Sequence, residues 1–168
     1  PVEQVGWGEC KAIVDRLGLS LPTEAQWEYA TRAGTSTIWW SGNDKESLRD
    51  VCNIADGFAK RFGGENWGGV ELWLDDGNTC HAPVGEYRAN GFGLHDVIGN
   101  VWEWCLDAYY NPAAGEDPLW HPSTTNRVFR GGGFKTGATG GRSGANSDGA
   151  PENSDAELGL RPVRCIEQ

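Results

Sequence analysis

The chain has 168 residues, long enough for one domain with a real core. Its formal net charge of −10 weighs against a nucleic-acid groove or an anionic membrane surface as partner. No apolar run approaches transmembrane length and no signal-peptide pattern is present, so membrane insertion is not expected.

Mean hydropathy is −0.53 and Met is absent, so the usual currency of a core is thin. Nine Trp offset this, because each indole buries a large area and still offers an N–H to a partner. With 25 Gly and no collagen period, the composition predicts a compact, irregular fold that trades helix and sheet for loops. The opening PVEQVGW has no initiator Met and reads as a fragment or a processed product, whose cellular address is not legible.

In chain order, ECKAIVDRLG at 9–18 predicts a helix with Ile13, Val14 and Leu17 on one face before a Gly stop. LPTEAQWEYATRAG at 21–34 predicts a second, with Thr23 and Gln26 at capping-box spacing, Trp27 and Ala30 inward, and Gly34 as a left-handed stop. From Thr35 to about Asn90 the pattern breaks into Gly, Asn, Asp and Trp-rich loop, with a short helix expected around Asp44 to Arg49. VWEWCL at 101–106 alternates as a strand carrying Trp102, Trp104 and Leu106 on one face, and RVFRGGGF at 127–134 and LGLRPVRCI at 158–166 read as two more. The 23 residues between the last two strands contain no large apolar side chain and cannot bury a core of their own. There is no repeat and no linker, so residues 1–168 form a single domain.

Cys10, Cys52, Cys80, Cys105 and Cys165 make no CxxC and no zinc spacing. Two readings stay open: a bridge between Cys52 and Cys80, or reduced, mostly buried thiols acting as small hydrophobes.

LPTEAQWEYATRAGT, APVGEYRANGFGLHDVIGNVWEW, RVFRGGGF and LGLRPVR, in this order, closely resemble the formylglycine-generating-enzyme (sulfatase-modifying factor) family. The likeness runs from Val2 to about Arg164, and GLHDVIGNVWEW is its most specific part. It implies an α+β, C-type-lectin-like fold with two helices, a small twisted antiparallel sheet and long loops. The family's domain also normally has a further stretch before the position of Pro1. The resemblance further implies two structural Ca2+ sites. One maps to Asn53 and Asp76 with the carbonyls of Ile54 and Asn78, although Asn78 departs from the family's usual aromatic. The other maps to Asp96 and Glu103 with the carbonyls of Gly99 and Val101. Calcium takes six to eight oxygens and accepts carbonyls from irregular loops, so both sets are chemically sensible. The bland alternative is that Asp96 caps a turn and Glu103 makes a buried pair.

In the oxidase that names the family, two cysteines after the RGGS-aromatic motif hold copper as thiolates. The matching positions are Thr136 and Gly141, and no residue from Gly131 to Arg164 is a cysteine, so copper is not expected. An iron-dependent branch uses histidines of an extra helical domain; His81, His95 and His121 show no ligand spacing and read as structural.

The same scaffold serves as a binding module in the variable proteins of diversity-generating retroelements. Their C-terminal segment resembles RGGGF, KTG, Ala138, TGG, RSGA, NSDGA, Pro151, ENSDAE, LGLR as these stand here, with Gly133 in place of Ser and Asn146 where Arg is common. Adenine changes in an AAC codon reach Asn, Ser, Thr, Asp, Gly or Ala, the residues at most of the free positions; Lys135, Glu152 and Glu157 are outside that set. The expectation is a non-catalytic module, presenting residues 135–157 to an unknown protein or surface ligand. Lys135, Thr136, Thr139, Ser147, Asp148, Asn153 and Asp155 are the expected contacts. Trp39, Trp40, Trp67, Trp73 and Trp120 are the aromatics that could add area to so small-residue a surface. A family enzyme with an unfamiliar active site and a protein-docking domain are the alternatives.

Overall fold

A computed structural model describes residues 1–63, 67, 69–109 and 126–164. Helix α1 (Trp7–Arg16) starts where the Gly6 N–H donates to the Glu9 carboxylate at 2.9 Å. Only Cys10 and Val14, four residues apart, are buried, against Leu21, Trp104 and Leu158. The expected face is therefore narrower than its apolar pattern: Ile13 and Leu17 are 43% and 67% exposed. They lie off the 10/14 stripe by which α1 touches the sheet. In α2 (Glu24–Arg32) the capping box forms as expected, with Gln26 N–H on the Thr23 hydroxyl and Thr23 N–H on the Gln26 amide oxygen. Trp27 is buried and Ala30 half-buried, and the left-handed turn begins one residue early, at Ala33.

A 3-10 turn (Lys45–Leu48) occupies the short helical stretch foreseen there, and a third helix was not foreseen. That helix, α3 (Gly57–Phe62), is six residues long and leaves no periodic signature; Asp56 caps it by accepting from the Ala59 N–H at 2.8 Å.

Strands β1 (Trp102–Ala108), β2 (Arg127–Arg130), β3 (Asn146–Gly149) and β4 (Leu158–Gly159) form one sheet in the order β3-β2-β1-β4. The α+β class stands, but the sheet is mixed: β4 runs parallel to β1, pairing Leu158 with Trp102. After β3 at one edge the chain crosses to the other edge, and so arrives in the same direction as β1. The last two expected strands are also shorter than their sequences suggested, and β3 lies inside the segment read as featureless. One face of the sheet carries Trp102, Trp104, Leu106 and Phe129 toward α1, as the alternation predicted; the other carries Cys105 and Val128 toward Trp27 of α2.

The loops share a third core of Trp39, Leu48, Val51, Ile54, Leu74, Val97, Ile98 and Ala138. They meet at Gly99–Asn100, two residues in the left-handed region (φ 80° and 66°). Gly99 N–H donates to the Gly131 carbonyl and Asn100 N–H to the Asn53 carbonyl; Asn100 Oδ1 accepts from Asn53 Nδ2 and the Ala82 N–H. A Cβ on Gly99 would overlap the Asn53 carbonyl. Gly99→Ala is therefore expected to cost on the order of 3 kcal/mol or more, since strain and overlap add. Gly18→Ala, equally left-handed but with open space around it, should cost only about 1 kcal/mol. Urea unfolding of the two variants checks this, and equal losses would remove the crowding argument.

Candidate functional site

Residues 135–157 are held mainly by their backbone. Ala55 N–H donates to the Thr136 carbonyl, Trp39 Nε1 to that of Ala138, Trp7 N–H to that of Pro151, and Gln4 N–H to that of Asp155. Ser143 N–H donates to the Ile38 carbonyl. Arg130, buried against Glu28 of α2, extends Nη1 to the carbonyls of Ser143 and Ala145. None of these bonds reads a side chain of the segment.

The freed side chains gather at one concavity of about 460 Å3. Its walls are Ser147, Asn153, Ser154, Asp155 and Glu157, and Trp102, Phe129 and Leu158 complete it. Trp102 and Phe129 meet edge to face at 5.2 Å, offering ring surface beneath a polar rim. Of the expected contacts, Ser147, Asn153 and Asp155 therefore converge. Lys135 and Thr136 abut the same rim: Lys135 Nζ is 3.6 Å from Asp155, and the Lys135 N–H donates to Glu157 Oε1 at 2.6 Å. Asp148 is not part of it, because pairing opposite Val128 turns it to the other face of the sheet, where it accepts from Asn126 Nδ2 at 2.7 Å. Thr139 is exposed and lines no wall of this concavity.

The aromatics come from the scaffold. Trp39 is buried in the loop core, Trp40 and Trp73 lie under Arg88 and Arg49, Trp67 edges Phe134, and Trp120 lies outside the described residues. Trp102 and Phe129 were missed as contacts, although the alternation of VWEWCL already set Trp102 on the face that opens here.

The donor sets expected for calcium differ in quality. At the first, Asn53 gives its Nδ2 to the Cys80 carbonyl and to Asn100, which leaves a buried Oδ1 without a partner. Asp76 accepts from the Ile54 and Asn78 N–H groups, and burial pushes its carboxyl up to about 7. An orphaned amide oxygen with a desolvated carboxylate nearby in the fold suits a hard cation. At the second, Asp96 also has a buried unpartnered oxygen, Oδ1. Glu103, however, already accepts from Arg161 at 2.8–3.1 Å and from Trp27 Nε1 at 2.7 Å. The buried pair is thus realised, and the second set fits a cation less well than the first. Among the described residues no three His, Cys, Asp or Glu side chains gather as a metal cluster, so the first set relies on amide and carbonyl oxygens as well.

Cys10, Cys52, Cys80 and Cys105 are free thiols, so the Cys52–Cys80 bridge does not form; Cys165 lies outside the described residues. Burial pushes the Cys10 thiol up to about 11 and that of Cys52 well above its ordinary value, keeping both as thiols. His95 Nδ1 meets the Tyr87 carbonyl and His81 the Ala156 carbonyl; His121 lies outside the described residues. A Cβ at Gly141 would point at Ile98, 2.6 Å from its Cγ2, whereas one at Gly140 would overlap the Thr136 methyl and lie 3.5 Å from Trp102. Gly140 is the neighbour of Thr136 in space.

A short curled sheet, flanking helices and a site built on loops define a C-type-lectin-like domain. The family model described as "Sulfatase-modifying factor enzyme 1-like domain" matches residues 1–166, and the chain belongs to that family. Formylglycine-generating enzyme of Streptomyces coelicolor is 36% identical over 170 residues, covering 96% of this chain and 51% of that protein. A Bos taurus protein named inactive C-alpha-formylglycine-generating enzyme 2 is 34% identical over 120 residues, covering 70% of this chain and 35% of its own. The chain thus spans about half the length of the first relative and about a third of the second. Among solved structures, Treponema denticola variable protein 1 matches with a TM-score of 0.74 at 22% identity, over 98% of this chain and 71% of that one, a likeness of fold. The family therefore includes members named as enzymes and one named inactive, and this chain lacks the cysteine pair.

Glu157 gives the concavity a pH signature. Burial pushes its carboxyl above the ordinary range, only partly offset by the Lys135 N–H. A raised folded value means its contribution to stability is fully present below the unfolded value and lost as pH rises through the folded one. Glu157→Gln is expected to melt higher than the parent near neutral pH, with the gap closing toward about pH 4. Thermal melts across that range check it, and a pH-independent gap would rule the titration out.

Proposed function

We propose that the chain is a non-catalytic ligand-binding module that presents residues 135–157 on a formylglycine-generating-enzyme-type scaffold. One observation carries the reading: the segment is held mainly by scaffold bonds to its backbone, while Ser147, Asn153 and Asp155 rim an open concavity. A surface built in this way tolerates side-chain change without loss of fold, the property that diversification by a retroelement requires. The ligand is a protein or surface group that rests on Trp102 and Phe129 and is selected by the polar rim.

The test is a library randomised at residues 147 and 153–155. Most members should melt within a few degrees of the parent, because surface substitutions away from special features stay within about 0.5 kcal/mol. Selection should yield binders to unrelated proteins. A library that is mostly unfolded would sink the reading. For retroelement origin, sequencing the codons for 135–157 from many related cells should find differences clustered at adenines; an invariant segment would remove that part alone.

Calcium is proposed at the Asn53–Asp76 set, where Asn53 Oδ1, the Asp76 carboxylate and the carbonyls of Ile54 and Asn78 would hold it. Bound there, the ion would clip a loop of more than twenty residues to the Gly99–Asn100 turn. Saturating calcium should raise Tm by about 5 °C or more over the EDTA-treated protein, and Asp76→Asn should abolish the difference. Equal melting with calcium and with EDTA would overturn it.

The second reading, a family enzyme of unfamiliar chemistry, is favoured by the 36% identity to a generating enzyme. It would be recognised by turnover that survives randomising the rim and is lost on changing one fixed polar residue.

A further inference from the structure

The loop after α2 and the turn at residues 142–145 enclose a separate cleft of about 400 Å3, which Arg32, Ser36, Thr37, Asn43 and Arg142 help to line. Its walls are tied together: Ser143 N–H donates to the Ile38 carbonyl and Ile38 N–H to Asn43 Oδ1, both at 2.9 Å. Each guanidinium is steadied at one end. Arg32 donates through Nε to Glu28 at 2.8 Å and through Nη1 to the Thr37 carbonyl at 3.1 Å. Arg142 donates through Nε to the Thr139 carbonyl at 2.9 Å. A guanidinium has five N–H donors, so among the described residues three on Arg32 and four on Arg142 have no protein acceptor.

Charge points the same way. Glu24 and Glu28 pair with Arg130 and Arg32, but among the described residues no carboxylate pairs with Arg142. This corner therefore carries an excess of positive charge in a chain whose net charge is −10. A lone carboxylate is planar and is satisfied by one guanidinium fork. Two guanidiniums and the Asn43 amide, carried on three separate stretches of chain, line the cleft and together suit a group whose oxygens point apart.

We propose that this cleft binds a tetrahedral oxyanion, the phosphate or sulfate group of a small ester. The site shares no lining residue with the Trp102–Phe129 concavity, so the two proposals stand or fall separately. Methyl phosphate, methyl sulfate and acetate are titrated into the protein at low salt and followed by calorimetry. One of the two esters should bind one to one and at least several-fold tighter than acetate; which ester is tighter identifies the source of the oxyanion. Arg142→Gln should lose about tenfold or more in affinity, the loss expected for charge-assisted hydrogen bonds, with an unchanged unliganded Tm. Lys60→Gln, the same charge change at an exposed position on α3, should bind as the parent does. No saturable binding of either ester, equal binding of acetate, or equal losses in the two variants would overturn the site.

Discussion

The loops of this fold are tied together at the contact between Gly99 and the carbonyl of Asn53. The close approach permits no side chain at Gly99, and it lets Asn100 N–H reach that carbonyl at 2.7 Å. From Asn100 the bonds fan out: its side chain holds Asn53 and Ala82, and its carbonyl accepts the Phe134 N–H at 3.1 Å. Three loops distant in sequence are thus fixed by one turn, in a fold whose regular elements are too few to fix them otherwise. Polar groups can serve as the centre because most are answered, Asn53 Oδ1 being the exception. The buried Asn100 amide accepts twice through Oδ1 and donates through Nδ2 to the Ala82 carbonyl, and such an engaged amide rigidifies its surroundings.

The same turn sets the start of the 135–157 segment. Gly131 and Phe134 are bonded to Gly99 and Asn100, and Thr136 to Ala55, so the chain enters the segment in a defined place. It leaves it equally defined, with Trp102 N–H on the Glu157 carbonyl and β4 beside β1. Between these points Arg130 supplies the internal support, itself held by Glu28 and stacked over Trp27. A segment clamped at both ends and braced in the middle through carbonyls needs no apolar side chains of its own. That answers why so long a run could lack them without being a free loop.

The parts legible in the sequence were those with a local cause. Thr23 and Gln26 announce α2 because a capping box is a three-residue interaction, and VWEWCL announces β1 because alternation lies within one strand. What stayed hidden depends on partners far along the chain. β3 reads NSDG, a turn-like sequence that becomes a strand because β2 offers a ladder. β4 is parallel because of the route the chain takes to reach it. Ile13 and Leu17 look like core and stay outside, since the breadth of the buried stripe is set by the sheet and not by the helix. Within the site, Ser147, Asn153 and Asp155 were legible as small polar positions in a family-like frame. Their aromatic floor was not, because Phe129 and Trp102 become neighbours only through strand pairing.

The positions that match the oxidase's copper cysteines lie within the segment that the scaffold holds by its backbone. Thr136 lies against Gly140, and a Cβ at Gly140 would be 3.5 Å from Trp102. Neither Thr136 nor Gly141 carries a thiol. Neither position takes part in the Gly99–Asn53 contact, the Arg130 bonds or the capping box, which answer for the fold. Stability and chemistry are thus written in different residues. A segment attached chiefly by its backbone is where that separation is widest.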